Sequence, residues 1–539
     1  MRKRYFLKIA LILLSCALLL QGCFVQPEID EEPSEPEVSP EFEVRLPQIP
    51  VQNTPPLSGR FTLRYDPHSA LNPITTLNRD NILLSSLLYE CLFILDGNLQ
   101  AEPMLCEKWS TEDNTTFNFE IKPNIAMNDG TWLSADDVAY SLKQAMLKGR
   151  YTNRFKTVLS VASDGDLTVT VVLSAPNRRF INLLDVPIIK NGTIDNFNPP
   201  GTGPYMFAGE EAMRLDKASR HRNFFDMPVS VIYLRECDDY ELTELFDDGE
   251  LSLLWDDPSD AFDIRINRLP EKRFYSTTAL QFVGFNARSG VMRDPDVRRA
   301  VSCSIDRQFI VENILVGQQA IPSLLALSPV FWLYDKAWEQ RYYEPLVEMT
   351  LLLVSAGLED YNDDSFLELA DGFGGYSDFS VDFIVNSENI HRTQIAHKIA
   401  DTLKRYGFNI TVRELPWENY LDALQAGHFD MYYGEVVLGA DFDLSPLLLP
   451  GSMNYGKTAS TEYLPFIDDF LAARSEYEVR YAAKRLCDEV TLYTPFAPVL
   501  YKQYAIYFPM GAISGADDPS PSGVFYNFSN WEIDLMMLN

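Results

Sequence analysis

Residues 128–138 read NDGTWLSADDV, and this stretch places a tight turn directly before a helix. Asn128-Asp129-Gly130 is a turn signal, because these residue types tolerate the backbone angles of tight turns. Ser134 is a typical N-cap, since its hydroxyl accepts a backbone N–H of the first helical turn. Asp136 and Asp137 then fall in the first helical turn, where their negative charges interact favourably with the positive end of the helix dipole. The stretch therefore predicts a turn followed by a helix that begins after Ser134.

Segments on both sides of this turn indicate a mixed α/β chain. Thr116–Ile121 alternates apolar and polar residues, as a strand with one buried face does. Similar patterns predict further strands at residues 60–65, 167–173, 282–285, 381–385, 409–413 and 495–508, and helices at 81–95, 296–316, 391–406 and 417–426. Strands and helices intermix along the chain, so the predicted fold class is α/β.

The N-terminus is typical of a bacterial lipoprotein signal. A cationic start, Met1-Arg2-Lys3-Arg4, precedes an apolar run from Ile9 to Leu20 and the sequence Leu20-Gln21-Gly22-Cys23. The apolar run is too short for a comfortable membrane span, which favours a cleaved signal over an uncleaved anchor helix. We expect residues 1–22 to be removed and Cys23 to carry lipid, which would tether the protein to the extracytoplasmic face of the cell membrane.

Residues 23–58 are rich in proline and glutamate. Like charges repel one another and prolines stiffen the backbone, so this segment is expected to be an extended, disordered tether.

The net charge and the residue composition exclude several classes of function. The leader holds four basic residues and no acidic one, which leaves 41 basic and 77 acidic residues, a net charge of −36. Such a charge argues against nucleic-acid binding. The body is long enough for more than one domain. Its scattered cysteines indicate neither a disulfide framework nor a metal site, although a Cys91–Cys106 bridge stays open. Five histidines are few for a catalytic protein of this size.

Several motifs together resemble the oligopeptide- and dipeptide-binding class of solute-binding proteins of ABC transporters. They are the 128–138 stretch, similar to the family's DGTPLTADDV; the alternating strand before it; GTGPY at 201–205; DPDVRRA at 294–300, followed by IDR at 305–307 and Gly317; and GHFD at 427–430. The resemblance covers about residues 58–539, essentially the whole body of the chain.

The resemblance implies a bilobed periplasmic-binding-protein fold with an extra subdomain in the first lobe. The implied boundaries are 59–82, 203–283 and 500–539 for lobe I, 83–202 for the extra subdomain, and 284–499 for lobe II. It also implies a monomeric binding protein, not an enzyme, that needs no cofactor. Such a protein captures peptides and delivers them to ABC permease subunits that work with a cytoplasmic ATPase.

The resemblance also implies ligand contacts. Asp441 matches the aspartate of the family's W-x-x-D segment, which pairs with the ligand's α-ammonium, although Leu438 stands in place of the tryptophan. Asp443 is the next candidate, and Leu424 replaces an arginine that some members use for longer peptides. A carboxylate facing an ammonium is physically sound, because each charge offsets the other's desolvation. Further positions that match ligand-facing or cleft residues of the family are Trp417, Glu90, Asn386 and His391.

Three of these residues also have a structural interpretation. Asp441 can be a solvated loop acid, Trp417 a core residue and His391 a helix-start residue. Asp306 and Arg307 of the IDR motif are expected to fix a helix start rather than to contact a ligand.

A phosphate-loop pattern at residues 451–458, GSMNYGKT, does not indicate nucleotide binding. A phosphate loop leaves a buried strand and opens a helix, whereas Pro446 and Pro450 interrupt the preceding run. A secreted hydrolase is disfavoured, because no nucleophile–base motif occurs. Two alternatives remain: the same fold binding an oligosaccharide or a chelated metal, and a lipoprotein that presents a signal peptide to a sensor.

Overall fold

The computed structural model describes residues 59–257, 266–288, 290–315, 320–340, 345–451, 453–458 and 460–538. The predicted signal peptide, Cys23 and the predicted tether lie outside these residues. None of the helices in the described ranges combines the length and the apolar content that a bilayer crossing needs.

Strands and helices intermix along the described chain, as the sequence predicts. In chain order, the strands are β1 Phe61–Arg64, β2 Phe93–Leu95, β3 Ala101–Pro103, β4 Cys106–Ser110, β5 Thr116–Ile121, β6 Val158–Asp164, β7 Thr168–Leu173, β8 Tyr205–Phe207, β9 Arg214–Lys217, β10 Val231–Arg235, β11 Leu254–Asp256, β12 Pro270–Phe285, β13 Ala320–Pro322, β14 Leu358–Glu359, β15 Glu368–Ala370, β16 Tyr376–Asp378, β17 Val381–Asn386, β18 Ile410–Leu415, β19 Met431–Val437, β20 Phe496–Pro509, β21 Ile513–Ser514 and β22 Glu532–Ile533. The α-helices are α1 Arg79–Leu88, α2 Ala135–Leu147, α3 Leu242–Asp247, α4 Pro295–Ser304, α5 Arg307–Phe309, α6 Ala337–Gln340, α7 Pro345–Ser355, α8 Ile390–Arg405, α9 Trp417–Ala426, α10 Ser445–Leu448, α11 Leu464–Ala472 and α12 Glu476–Tyr493.

A four-stranded antiparallel sheet, in the order β4-β5-β7-β6, follows the predicted pattern closely. Phe117 and Phe119 point from β5 into a core shared with α2, while the residues between them are exposed. Ser134 and Asp137 form a capping box at the start of α2, as the turn-and-helix stretch predicts. We call residues 93–188, which build this sheet and its core, the small body.

A second four-stranded sheet, in the order β1-β10-β9-β8, forms the first of two larger cores. Phe61 and Tyr205 from this sheet pack in the same cluster as Phe528 near the C-terminus. The two ends of the described chain therefore meet in one core.

The long strands β12 and β20 connect this first core to a second one. They pair with each other and lie within the sheet β11-β20-β12-β19-β17-β18. Tyr275 of β12 lies in the first core, whereas Val283 of the same strand packs in another cluster with α4 and α8. Leu280 of β12 packs in a third cluster with α11 and α12, and we call these last two clusters together the second core. The register shifts between Ser276 and Leu280, which bends the paired strands where they leave one core for the other.

The second core is closed by helices whose ends are capped as their sequences predict. Asn389 caps α8 and Asp306 caps α5 through a backbone N–H of the first turn. Arg307 donates to the main-chain oxygens of Ser323 and Pro498, so the IDR motif fixes local structure.

Three predictions from apolar runs need correction. Residues 81–95 are not one helix, because α1 ends at Leu88 and Phe93–Leu95 pairs with β3. The strand predicted at 282–285 is the end of a 16-residue strand. The helix predicted at 296–316 breaks after Ser304, where the chain turns before Arg307.

Cys91 and Cys106 do not form the bridge that the sequence left open, since both are free cysteines. Burial raises the pKa of the Cys106 thiol to about 12, which leaves it in its unreactive protonated form.

Candidate functional site

Asp441 lies in the loop that follows β19, where this loop meets the small body. Its side chain is only 3% exposed. Its Oδ2 accepts a hydrogen bond from Asn177 Nδ2 at 2.8 Å, and its Oδ1 accepts one from the Asp443 N–H at 3.3 Å. The carboxylate is therefore buried between two parts of the fold that are distant in sequence, and neutral amides hydrogen-bond it.

Burial controls the protonation of this carboxyl group. Removal from water raises the pKa of Asp441 to about 6, and the neighbouring carboxylate of Asp443 adds to the rise. The hydrogen bond from Asn177 and the charge of Arg179 oppose the rise without cancelling it. A positive ligand group at this position would favour the ionised form and would relieve the cost of burying it.

Arg179 lies beside Asp441 but does not form an ion pair with its carboxylate. Its Nε donates to the main-chain oxygen of Asp441 at 3.2 Å, and its Nη1 donates to that of Phe470 at 2.8 Å. Burial lowers the pKa of this guanidinium to about 10, so it remains charged at neutral pH.

Further amides of the small body donate to the same side of the second core. Asn182 Nδ2 donates to the Ala440 oxygen at 3.2 Å, and Asn114 Nδ2 donates to the Ala472 oxygen at 3.0 Å. Both asparagines are buried. These contacts hold the loop of Asp441 against the small body.

Asp443, the alternative anchor, has a different local role. Its Oδ1 accepts from both the N–H and the hydroxyl of Ser445, which starts α10. This carboxylate organises a helix start, whereas Asp441 lies in the interface between the small body and the second core.

Glu90 is bound by two side chains of the same chain, Arg222 and His221. Arg222 Nη1 donates to its Oε2 at 2.8 Å, and His221 Nε2 lies 3.5 Å from its Oε1. Burial alone would raise the pKa of Glu90, but the hydrogen bonds from His221 and Arg222 outweigh burial and lower it. The side chain is 4% exposed, so its charge is already satisfied within the fold.

The remaining predicted positions lie at one end of β17. Asn386 ends this strand and accepts from the Glu388 N–H at 3.1 Å, while the Glu388 carboxylate accepts from the Trp417 N–H at 3.0 Å. His391 lies in the first turn of α8. Trp417 is 48% exposed, so it is not the core residue that the structural interpretation required. The structure thus brings Asn386, His391 and Trp417 to the same end of the long sheet.

A buried charged network that the sequence analysis missed lies near the bend of β12 and β20. Lys502 Nζ lies 2.5 Å from Asp257 Oδ2 and 3.5 Å from Glu435 Oε2. Arg392 Nη2 and Gln281 Nε2 donate to the same Glu435 oxygen at 2.8 and 3.0 Å. Burial tends to lower the pKa of Lys502, but the two carboxylates outweigh it and raise the pKa.

The sequence held one signal for this network, which is a single lysine inside the apolar run of β20. A lysine is rarely buried unless it is paired, so its position predicts acidic partners without naming them. One partner, Asp257, directly follows β11 and the other, Glu435, lies in β19, and both are more than sixty residues away in the chain.

One group of carboxylates in the described part of the chain is close enough to share a cation. Oxygens of Asp360, Asp364 and Glu368 lie within 4.8 Å of one another, between β14 and β15. Asp360 and Asp364 are exposed, and hydrogen bonds from the Tyr361 N–H and the Asn362 amide already bind Glu368.

The sequence is similar to a known protein family and to individual members of it. The family model described as bacterial extracellular solute-binding proteins, family 5 Middle, matches residues 100–454. The oligopeptide-binding protein AppA of Bacillus subtilis is 23% identical over 390 residues, which span 67% of this chain and 70% of AppA. The periplasmic oligopeptide-binding protein OppA of Salmonella typhimurium is 23% identical over 414 residues, which span 69% and 72% of the two chains.

Solved structures confirm the fold. AppA of Bacillus subtilis in complex with a nonapeptide aligns over 88% of this chain and 99% of its own, with a TM-score of 0.63 and 18% identity. NikZ of Campylobacter jejuni in complex with Ni(L-His) aligns over 88% and 98%, again with a TM-score of 0.63 and 18% identity. The predicted bilobed α/β fold is therefore confirmed. Because the two neighbours hold different ligands, the fold alone does not identify the solute.

Proposed function

The chain belongs to the bacterial extracellular solute-binding proteins of family 5, and from this membership we propose that it captures peptides outside the cytoplasmic membrane and delivers them to an ABC importer. The ligand enters between the open lobes, and a hinge movement closes them around it. The closed form then docks on the permease subunits. Binding and release suffice for this role, so no chemical step is part of the proposal.

The observation that carries the peptide assignment is the buried carboxylate of Asp441. Its one side-chain hydrogen bond comes from a neutral amide, and its pKa of about 6 reflects a buried charge without full compensation. The α-ammonium of a peptide supplies this compensation, whatever side chains the peptide carries. An importer that accepts peptides of varied sequence needs such a contact with a group that all of them share.

The anchoring part of the proposal comes from the N-terminal sequence. Cleavage before Cys23 and lipidation of its thiol would hold the protein at the membrane by apolar burial of the acyl chains, at roughly 0.8 kcal/mol per buried CH₂. Residues 23–58 would then hold the folded lobes away from the surface. We also propose the lobe and subdomain boundaries that the family resemblance implies, with the extra subdomain at residues 83–202 and lobe II at 284–499.

Calorimetry with matched peptides tests the function. Trialanine with a free amino terminus should bind the wild-type protein, and N-acetyl-trialanine should bind at least tenfold more weakly, since a lost charge-assisted hydrogen bond costs roughly 1.5–3 kcal/mol. A native mass spectrum of protein purified from its own cells should show a co-purified peptide. If the spectrum shows a sugar or a metal chelate and no peptide binds, the peptide assignment is wrong.

A further inference from the structure

A cavity of about 340 Å³ lies between the small body and the helices of the second core. Trp109 and Arg178 line it on the side of the small body, and Trp332 and Arg474 line it on the opposite side. Sites for small molecules begin at about 300 Å³. The cavity is thus large enough for a compact organic ligand, and we call it the side cavity.

Arg178 is held in a fixed orientation at this cavity. Its guanidinium carbon lies 4.7 Å from the ring centroid of Trp109, whose ring in turn stacks against Phe117 at 6.2 Å. A guanidinium stacked on an aromatic ring loses little further freedom when it forms two parallel hydrogen bonds to a carboxylate. Within the described ranges, no carboxylate comes within the 4.0 Å that defines an ion pair with Arg178.

Arg474 presents a second unpaired guanidinium from the opposite side. Its main-chain N–H donates to Glu478 Oε2 at 2.9 Å as part of the start of α12. Its guanidinium, however, has no carboxylate of the described residues at ion-pair distance. Two parts of the fold therefore each contribute an unpaired cation to one cavity.

The acidic residues that line the side cavity are already occupied by other groups. Asp96 accepts two main-chain N–H groups of its own turn at 2.9 and 2.8 Å. Glu102 accepts the Tyr526 hydroxyl at 2.9 Å, and the guanidinium of Arg480 lies 3.7 Å from Glu476. Because these acids already have hydrogen-bonding or ionic partners and the two guanidiniums have no carboxylate at ion-pair distance, the two arginines are the charged groups left to bind a ligand.

We infer that the side cavity binds a small organic anion through a carboxylate that Arg178 and Arg474 share. The whole chain has a net charge of −32, so its general field repels anions and a local pair of cations is needed to hold one. Planar, forked guanidinium groups match the two oxygens of a carboxylate. The ligand would bridge the small body and the second core.

The first experiment measures binding of succinate by calorimetry, with the uncharged succinamide as its control. Succinate should bind the wild-type protein and succinamide should not. Arg178→Gln and Arg474→Gln should each weaken succinate binding by roughly 10- to 150-fold, the range for a lost charge-assisted hydrogen bond. Arg178→Lys, which keeps the charge but loses the fork, should recover only part of the affinity.

Arg485→Gln is the matched control. This guanidinium also lies over an aromatic ring, 5.1 Å from the centroid of Phe466, but it pairs with Asp469 and does not line the side cavity. Succinate affinity should be unchanged in this variant. The inference is overturned if succinate does not bind, or if Arg178→Gln and Arg474→Gln bind it as well as Arg485→Gln does.

The carboxylate has two possible sources, which trialanine and its C-terminal amide distinguish. If it belongs to the bound peptide, amidation should weaken binding to the wild type and have no further effect in a double variant that carries both Arg178→Gln and Arg474→Gln. If it belongs to a separate acid, amidation should have no effect and saturating peptide should leave succinate affinity unchanged. Absence of peptide binding together with normal succinate binding would contradict the proposed function and leave the anion site in place.

Discussion

Asn177 and Asp441 lie 264 positions apart in the sequence, yet the amide of one donates to the carboxylate of the other at 2.8 Å. The contact joins the small body to the loop that follows β19. An amide satisfies one lone pair but brings no charge. The charged guanidinium of Arg179 lies nearby but donates to the main-chain oxygen of Asp441 and not to its carboxylate. In the proposed function, this carboxylate is the buried partner of the ligand ammonium.

Asp441→Asn should weaken trialanine binding by roughly 10- to 150-fold, because it removes one sheltered charge-assisted hydrogen bond worth roughly 1.5–3 kcal/mol. N-acetylation of the peptide should not weaken binding further in this variant, since both changes delete the same interaction. A calorimetric double-mutant cycle measures both effects. Asp443→Asn is the control, because the asparagine carbonyl oxygen can accept the same two hydrogen bonds from Ser445 and affinity should persist. Unchanged trialanine affinity in Asp441→Asn would show that another residue binds the α-ammonium of the peptide.

The free energy of unfolding of the ligand-free protein should fall as the pH rises past the pKa of Asp441. Its pKa rises from 3.8 in the unfolded chain to about 6 in the fold, so the folded state binds this proton more tightly. The corresponding stability is fully present below pH 3.8 and is lost as pH passes about 6, to the extent of about 3 kcal/mol. Asp441→Asn should therefore unfold at a higher urea concentration than the wild type at pH 8, with a smaller difference at pH 4. A variant that is less stable at pH 8 would contradict the assignment.

Arg222→Leu tests whether Glu90 is structural. The substitution leaves a buried carboxylate with only His221 nearby, and the free energy of unfolding should fall by about 2–3 kcal/mol. The expected loss is smaller than that for a fully buried ion pair, because the Arg222 side chain is 35% exposed. Urea denaturation measures the loss. Peptide affinity per folded molecule should not change, whereas a large change would show that Glu90 contacts the ligand after all.

Cys23→Ser should release the protein from the membrane or leave an uncleaved precursor, because the serine hydroxyl cannot replace the thiol that carries the lipid. Membrane fractionation of the producing cells and the intact mass of the protein measure the two outcomes. Normal processing with unchanged membrane association would contradict the lipoprotein prediction.

Ligand binding should reduce the radius of gyration in small-angle scattering, since lobe closure is a rotation about the hinge. The measurement compares ligand-free protein with protein saturated by trialanine, and Asp441→Asn at the same peptide concentration serves as a control. Identical profiles with and without bound peptide would contradict a closing movement.

The periodicity of apolar residues predicted those strands and helices that bury one face along their whole length. Thr116–Ile121 and Trp417–Ala426 are found with the predicted bounds, because alternation and helical spacing report directly on one buried face. The run at 81–95 failed for the opposite reason, since a continuous apolar stretch fits both a helix and a buried strand. Only the pairing of β2 with β3 decides between them.

Local sequence patterns did not predict the contacts of the candidate site. The family resemblance pointed to Asp441, but the sequence held no sign that Asn177 and Arg179 would lie against it. Likewise, the first half of β12 reads as a polar segment, PEKRFYS, and it is a strand because β20 lies beside it. Contacts between residues more than two hundred positions apart determine both features.

The long pairing of β12 with β20 also sets the order in which this chain can mature. The strand at Phe496–Pro509 contributes to both cores, so neither core is complete until almost all of the polypeptide has been made. Contacts of such high sequence separation form slowly, because a large loop must close first. A chain that crosses a membrane in an extended state benefits from this delay, since the elements emerging first lack the partner that would lock them into a folded form on the wrong side.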